Sequence, residues 1–160
     1  MKEASYLSSI SSDIEKQIGG KVIKISDRST LGLPDSMHIR DGIVTYIETK
    51  IDEHFEIYGG IIHVQPWKAV KKDLRQFEIC RSISRHSLVV YMIYYPAIKR
   101  TAVLSVDLLV QFRPSSDDED LKYLSLPKHL VKGKGVQRLS EIMGSNRKEI
   151  LHVLSTADVN

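Results

Sequence analysis

Apolar residues recur at helical spacing near the start of the chain. Leu7, Ile10, Ile14 and Ile18 fall on one stripe and predict a helix over residues 5–18 that stops at Gly19-Gly20. Lys21 to Ile25 reads as a short strand, and Ser26 to Leu33 as a polar loop carrying Arg28, Ser29 and Thr30. Two extended runs follow, Asp35 to Arg40 and Ile43 to Ile51. The second is rich in β-branched residues, which favour a pleated, half-buried surface. Between them stands Asp41-Gly42. Both central residues of a two-residue hairpin loop need positive φ, so Asp-Gly between apolar runs predicts a tight hairpin.

A two-residue loop fixes the register. Arg40 pairs with Ile43, and each outward step keeps residues opposite one another until Asp35 faces Glu48. Directly opposed Cβ atoms lie about 4.5–5.5 Å apart, and like charges so placed repel unless a cation sits between them. Side chains alternate along a strand, so Lys50 projects from the same face as Glu48. Ile43, Thr45, Ile47, Thr49 and Ile51 then form the other face, expected to be the core side. A loop one residue longer would move one carboxylate to the opposite face. Two facing carboxylates with a lysine beside them suit a divalent metal ion and phosphodiester hydrolysis.

Beyond the hairpin, Asp52 to Gly60 reads as an irregular acidic connection and Ile61 to Val64 as a short extended piece. Pro66 fits the first turn of a helix over residues 67–84. Lys68, Lys71, Lys72 and Arg75 crowd the first half of that helix, where they either track phosphates or form a solvated face. Leu88 to Tyr95 is a nearly continuous apolar run, expected as a buried central strand ended by Pro96. Residues 100–112 continue the strand pattern, with a break near Asp107. From Arg113 the acidic, serine-rich stretch reads as a linker merging into a helix start. Residues 137–155 show two apolar periodic segments around Gly144, the pattern of an αα-hairpin or a helix-turn-helix. The order of elements predicts an α/β fold, a mixed central sheet flanked by helices, over residues 1–112, with a helical C-terminal extension over 113–160.

Composition narrows the setting without changing the fold. The chain has 160 residues, 42% hydrophobic and 27% charged, enough for the core of one domain. A net charge of +3 and a pI near 8.9 are compatible with nucleic acid. The single cysteine, Cys80, excludes an internal disulfide and a cysteine-rich zinc site, and is expected to be a buried structural thiol. No signal peptide and no apolar run of membrane-spanning length is visible, so an intracellular, cytoplasmic chain without membrane contact is expected. His54 and His63 have no partners at metal-ligand spacing. There is no glycine-rich phosphate loop and no nucleophile elbow.

Glu15 on the first helix, Pro34-Asp35, Glu48-Thr49-Lys50 and Gln76 on the following helix occur in the order found in the PD-(D/E)xK nuclease superfamily. Over residues 8–112 the chain most resembles archaeal Holliday junction resolvases and virus-type replication-repair nuclease domains. Two features depart from them: the stretch between Lys50 and Gln76 is long, and Glu3 and Asp13 compete with Glu15 for the role of the N-terminal acid.

The resemblance implies a restriction-endonuclease-like fold and a Mg²⁺-dependent endonuclease acting on DNA, with Mn²⁺ able to substitute. It implies that Asp35, Glu48 and the Thr49 carbonyl hold the ion. Glu15 would bind a second ion or its water, Lys50 would activate the attacking water, and Gln76 would orient a phosphate or Lys50. Arg28, Ser29 and Thr30 are expected on the DNA backbone, with Lys68, Lys71, Lys72 and Arg75 tracking further phosphates. Cleaving two strands favours a homodimer, and a viral chain would act in the host-cell cytoplasm. The competing expectation is a non-catalytic DNA-binding or replication-associated protein that uses the helix-turn-helix-like tail.

Overall fold

The computed structural model describes residues 1–25, 32–116 and 119–157. Its first helix, α1 (Glu3–Gln17), buries Tyr6, Ile10 and Ile14 along the expected stripe. Three strands follow: β1 (Lys21–Lys24), β2 (Ser36–Arg40) and β3 (Ile43–Ile51). The turn between β2 and β3 has Asp41 at φ 52° and Gly42 at φ 76°, the two left-handed residues that the hairpin demands. Arg40 pairs with Ile43 and Ser36 with Ile47, the expected register.

The segment read as irregular holds a second hairpin, β4 (Phe55–Tyr58) and β5 (Ile61–Val64), turning at Gly59-Gly60. Four residues per strand are too few for an alternation to stand out against the acids around them. The helix expected over residues 67–84 is two pieces, α2 (Pro66–Val70) and α3 (Leu74–Ile83), joined by one 3₁₀ turn over Lys71–Asp73. Asp73 restarts the helix by accepting the Gln76 backbone N–H at 3.0 Å.

Strand β6 (Leu88–Tyr95) is the buried central strand that its apolar run predicts. It lies parallel to β3 and antiparallel to β7 (Arg100–Ser105). The strand expected to continue to Phe112 instead ends at Ser105, whose hydroxyl accepts the Leu108 N–H and caps α4 (Val106–Leu109). Capping by serine, with Val106 and Leu109 one turn apart, overrides the local strand propensity there.

The C-terminal segment differs most from expectation. The described residues of 113–120 form no helix. Leu124 exchanges backbone hydrogen bonds with Val64, and β8 (Leu130–Lys132) joins the sheet beside β7. Residues 137–155 lie within one continuous helix, α5 (Val136–Ala157), with no turn at Gly144. A single internal glycine costs about 1 kcal/mol relative to alanine, too little to break a helix packed along one face. The tail therefore presents no helix-turn-helix, and it completes the same sheet and core as the preceding residues.

The sheet order is β1-β2-β3-β6-β7-β8, six strands of mixed direction. Both faces are covered. Trp67, Phe77 and Cys80 from α2 and α3 pack on Tyr91, Ile93, Tyr95 and Leu104. Tyr6, Ile10 and Ile14 of α1 and Leu139 of α5 pack on Ile47, Val90, Met92 and Val103. Each such side chain contributes about 1.5–3 kcal/mol by leaving water. Gly135, at φ 86°, lets the start of α5 approach the sheet, where a Cβ would come within 2.8 Å of Val103. Among the described residues no helix is long and apolar enough to cross a membrane.

Candidate active site

Strand β3 runs farther than β2. Pairing with β2 stops at Ser36–Ile47, whereas pairing with β6 continues to Ile51–Tyr94. Glu48 to Ile51 therefore have a sheet neighbour on one side only. On the open side the Asp35 carboxylate takes the place of a strand: its Oδ2 accepts the Thr49 backbone N–H at 2.9 Å and the Thr49 hydroxyl at 2.6 Å.

Glu48 projects from the next position into the layer under α3, alongside Tyr91 of β6. It is 1% exposed. Burial, then a hydrogen bond to Asp35 and the like charge of Asp35, push its carboxyl up to about 10, with Lys50 opposing. At neutral pH Glu48 is protonated and donates to Asp35. Lys50 Nζ stands 4.0 Å from Glu48 Oε1, its side chain 14% exposed. The other oxygen, Oε2, is buried and has no partner among the described residues.

Gln76 reaches the same place from α3. It is buried, and its Nε2 donates to the Leu33 carbonyl at 3.4 Å, tying the helix to the chain just ahead of Pro34-Asp35. Its Oε1 has no partner among the described residues. Cys80 and Tyr91 complete the wall, and burial pushes the Cys80 thiol up to about 12, so it is an inert packing group as expected.

Asp35, Glu48, Thr49, Lys50 and Gln76 are thus brought together. Glu15 is not. It sits near the C-terminal end of α1, where its Oε2 accepts the Val22 N–H at 3.3 Å. Glu3, at the other end of that helix and about 18 Å away at 1.5 Å rise per residue, is the α1 acid whose charge is felt by Glu48. Asp13 lies 3.8 Å from Lys134. Nothing in the amphipathic stripe of α1 states which way the helix runs across the sheet, so the acid could not be chosen from sequence.

Of the basic residues, Lys71, Lys72 and Arg75 are exposed along the 3₁₀ turn and the start of α3. Lys68 lines a separate cavity with His54, Glu56 and His63. Arg28, Ser29 and Thr30 lie outside the described residues.

Among the described residues no group of three or more histidine, cysteine, aspartate or glutamate side chains is disposed to hold a metal ion. What Asp35 and Glu48 offer is a pair of carboxylates in contact, one with an orphaned buried oxygen. Oxygen-only donors of this kind fit a hard divalent cation, which keeps several of its waters. No protein-family model and no curated protein matches the chain.

Proposed function

We propose that the chain is a metal-dependent deoxyribonuclease of the PD-(D/E)xK type, with a restriction-endonuclease-like fold. One observation carries the reading: Asp35 meets buried Glu48 at the frayed edge of β3, with Lys50 at 4.0 Å. Buried carboxylates in contact cost stability unless they serve a ligand or a reaction.

Asp35, Glu48 and the Thr49 carbonyl would hold Mg²⁺, or Mn²⁺ in its place. When bound, the ion supplies positive charge against the phosphate and a more acidic water. Glu48 would have to be ionised to serve as a ligand, since ligating carboxylates are deprotonated. Lys50 donates to a non-bridging phosphate oxygen and offsets the charge that develops as water attacks in line. Gln76, held at Leu33, orients the lysine by accepting its N–H at the free Oε1, or the phosphate by donating the second N–H of its Nε2. Exposed Lys71, Lys72 and Arg75 add non-specific, salt-sensitive attraction to the backbone. Two strands to cut favour a homodimer, and a junction-resolving activity is the structure-specific form of this reading.

The test is incubation of the protein with plasmid, linear duplex, single strand and a four-way junction, in Mg²⁺ or EDTA. Cleavage that needs Mg²⁺ and vanishes in Asp35→Asn is expected. No cleavage of any substrate by the parent protein would sink the enzyme reading. Paired, symmetric nicks on the junction alone would select a resolvase.

A further inference from the structure

The β4–β5 hairpin leaves β3 directly after Lys50 and exposes aromatic surface that packing does not explain. Tyr58 is 61% exposed and Tyr123 is 43% exposed. Both phenols donate to one oxygen of Glu56, at 2.6 and 2.9 Å, so a single carboxylate holds both rings. His63 lies between them, its ring 5.5 Å from Tyr58 and 6.1 Å from Tyr123. The backbone exchange between Val64 and Leu124 delivers Tyr123 to this spot. Ring orientation is thus fixed in advance, and the faces stay open.

Basic side chains and two carboxylates stand beside the rings. Glu53, His54, Glu56, His63, Lys68 and Tyr123 line a cavity of about 220 Å³, and Tyr58 flanks it against the His63 ring. Buried Asp52 accepts His54 Nδ1 at 2.8 Å. A carboxylate only accepts, so Nδ1 carries the proton and Nε2 turns away from Asp52. Asp52, the residue that holds His54, follows the end of β3 and is two residues beyond Lys50, so the chain passes from Lys50 to the cavity wall within a few residues.

We propose that this cavity and the Tyr58 ring flanking it bind one unpaired nucleotide of a nucleic-acid strand, its base stacked on the exposed tyrosine rings and its phosphate facing His54 and Lys68. This rests on the nuclease reading for the identity of the strand, and deepens it by naming a single-stranded segment next to the scissile phosphate as part of the substrate. Preset aromatic faces beside cations are what single-strand binding uses, because every base has a π-face. A perfect duplex keeps its bases stacked inside and cannot fill the cavity.

The experiment measures binding, with cleavage blocked by EDTA. Fluorescence anisotropy compares the full chain on a fluorescein-labelled single strand of about 20 nucleotides and on its blunt duplex. Adenosine monophosphate serves as a competitor. Tyr58→Ala and Tyr123→Ala are each expected to weaken the single strand about 5- to 100-fold, the loss of one base–ring stack, and to leave the duplex unchanged. Tyr58→Phe keeps the stacking face and loses only the hydrogen bond to Glu56, so it is expected to retain most of the affinity that Tyr58→Ala loses.

Ala variants that bind the single strand as tightly as the parent overturn the proposal. So does equal weakening on duplex and single strand, which would make the rings a general contact surface. Competition by the free mononucleotide as tight as by the strand would assign the cavity to a small molecule instead. A dimeric parent that Tyr58→Ala converts to monomer in size-exclusion chromatography would assign the rings to a second copy. A parent that binds through these rings yet cleaves nothing in Mg²⁺ retains the nucleotide cavity and sinks the nuclease reading, so the two failures are distinct.

Discussion

Glu48→Gln should stabilise the metal-free protein, and should do so more as pH rises. The Glu48 carboxyl is pushed from an ordinary 4.5 to about 10, first by burial and then by Asp35. In the unfolded chain it ionises near 4.5, while the folded protein retains the proton until about 10. Its contribution to stability is therefore full below the unfolded value and falls as pH rises between the two, by about 1.36 kcal/mol per unit. At pH 7 the accumulated loss approaches roughly 3 kcal/mol, a large part of the ~5–15 kcal/mol that holds a domain folded. Glutamine removes the titration and keeps an N–H donor toward Asp35, so the variant escapes this loss. Urea unfolding in EDTA at half-unit steps from pH 5.5 to 8 gives ΔG for both proteins. The parent should lose stability relative to Glu48→Gln by about one proton's worth per unit. Parallel curves would show that no proton is held between them, and would remove the physical basis of the site.

Other outcomes follow from the same geometry. Mg²⁺ should raise the melting temperature of the parent more at pH 8 than at pH 6, because the ion competes with the proton on Glu48, and should leave Asp35→Asn unmoved by thermal shift. Gly42→Ala should cost about 1–2 kcal/mol in urea unfolding, purely from a side chain at φ 76°, since nothing lies within 4 Å of its Cβ position. Ile47→Ala, fully buried between α1 and the sheet, should cost about 2–5 kcal/mol by the same measurement. Pro34→Ala should leave the fold intact by circular dichroism and weaken Mg²⁺ binding by calorimetry, for the reason argued in the last paragraph.

The β2–β3 hairpin was legible in sequence because one dipeptide fixes its turn and the turn fixes its register. Strand β6 was legible because burial on both faces leaves an unbroken apolar run. Gln76 was placed by the order of residues in the resemblance, against an unusually long stretch after Lys50, and does reach the loop before Asp35. What escaped were features set by distant contacts. Strand β8 exists through pairing with β7, and its Leu130-Val131-Lys132 carries no signal of its own. That the charge of Glu3, rather than of Glu15, reaches Glu48 depends on the direction of α1, fixed by the Tyr6–Tyr94 stack at one end and by His38 and Arg40 binding the Gly19 and Ile18 carbonyls at the other. Helix α4 took over a strand-like sequence through a cap at Ser105.

Pro34-Asp35 has a backbone explanation that the sequence motif alone does not give. Continued two steps past its last pair, Ser36–Ile47, the register would set Thr49 opposite Pro34. A strand residue directs its N–H and C=O to the same side, and the Thr49 N–H points at Asp35, so its carbonyl faces the same open edge. A continuing β2 would satisfy both groups. Proline cannot, because it has no N–H to donate. The Asp35 side chain accepts the Thr49 N–H in place of a strand carbonyl, and the Thr49 oxygen is left without a ladder donor beside two carboxylates. Proline thus ends the ladder where an oxygen ligand is wanted, and aspartate stabilises the donor that the broken ladder would otherwise orphan. An alanine at position 34 restores an amide opposite Thr49. The ladder can then extend by one bond, and the carbonyl is drawn away from the cation.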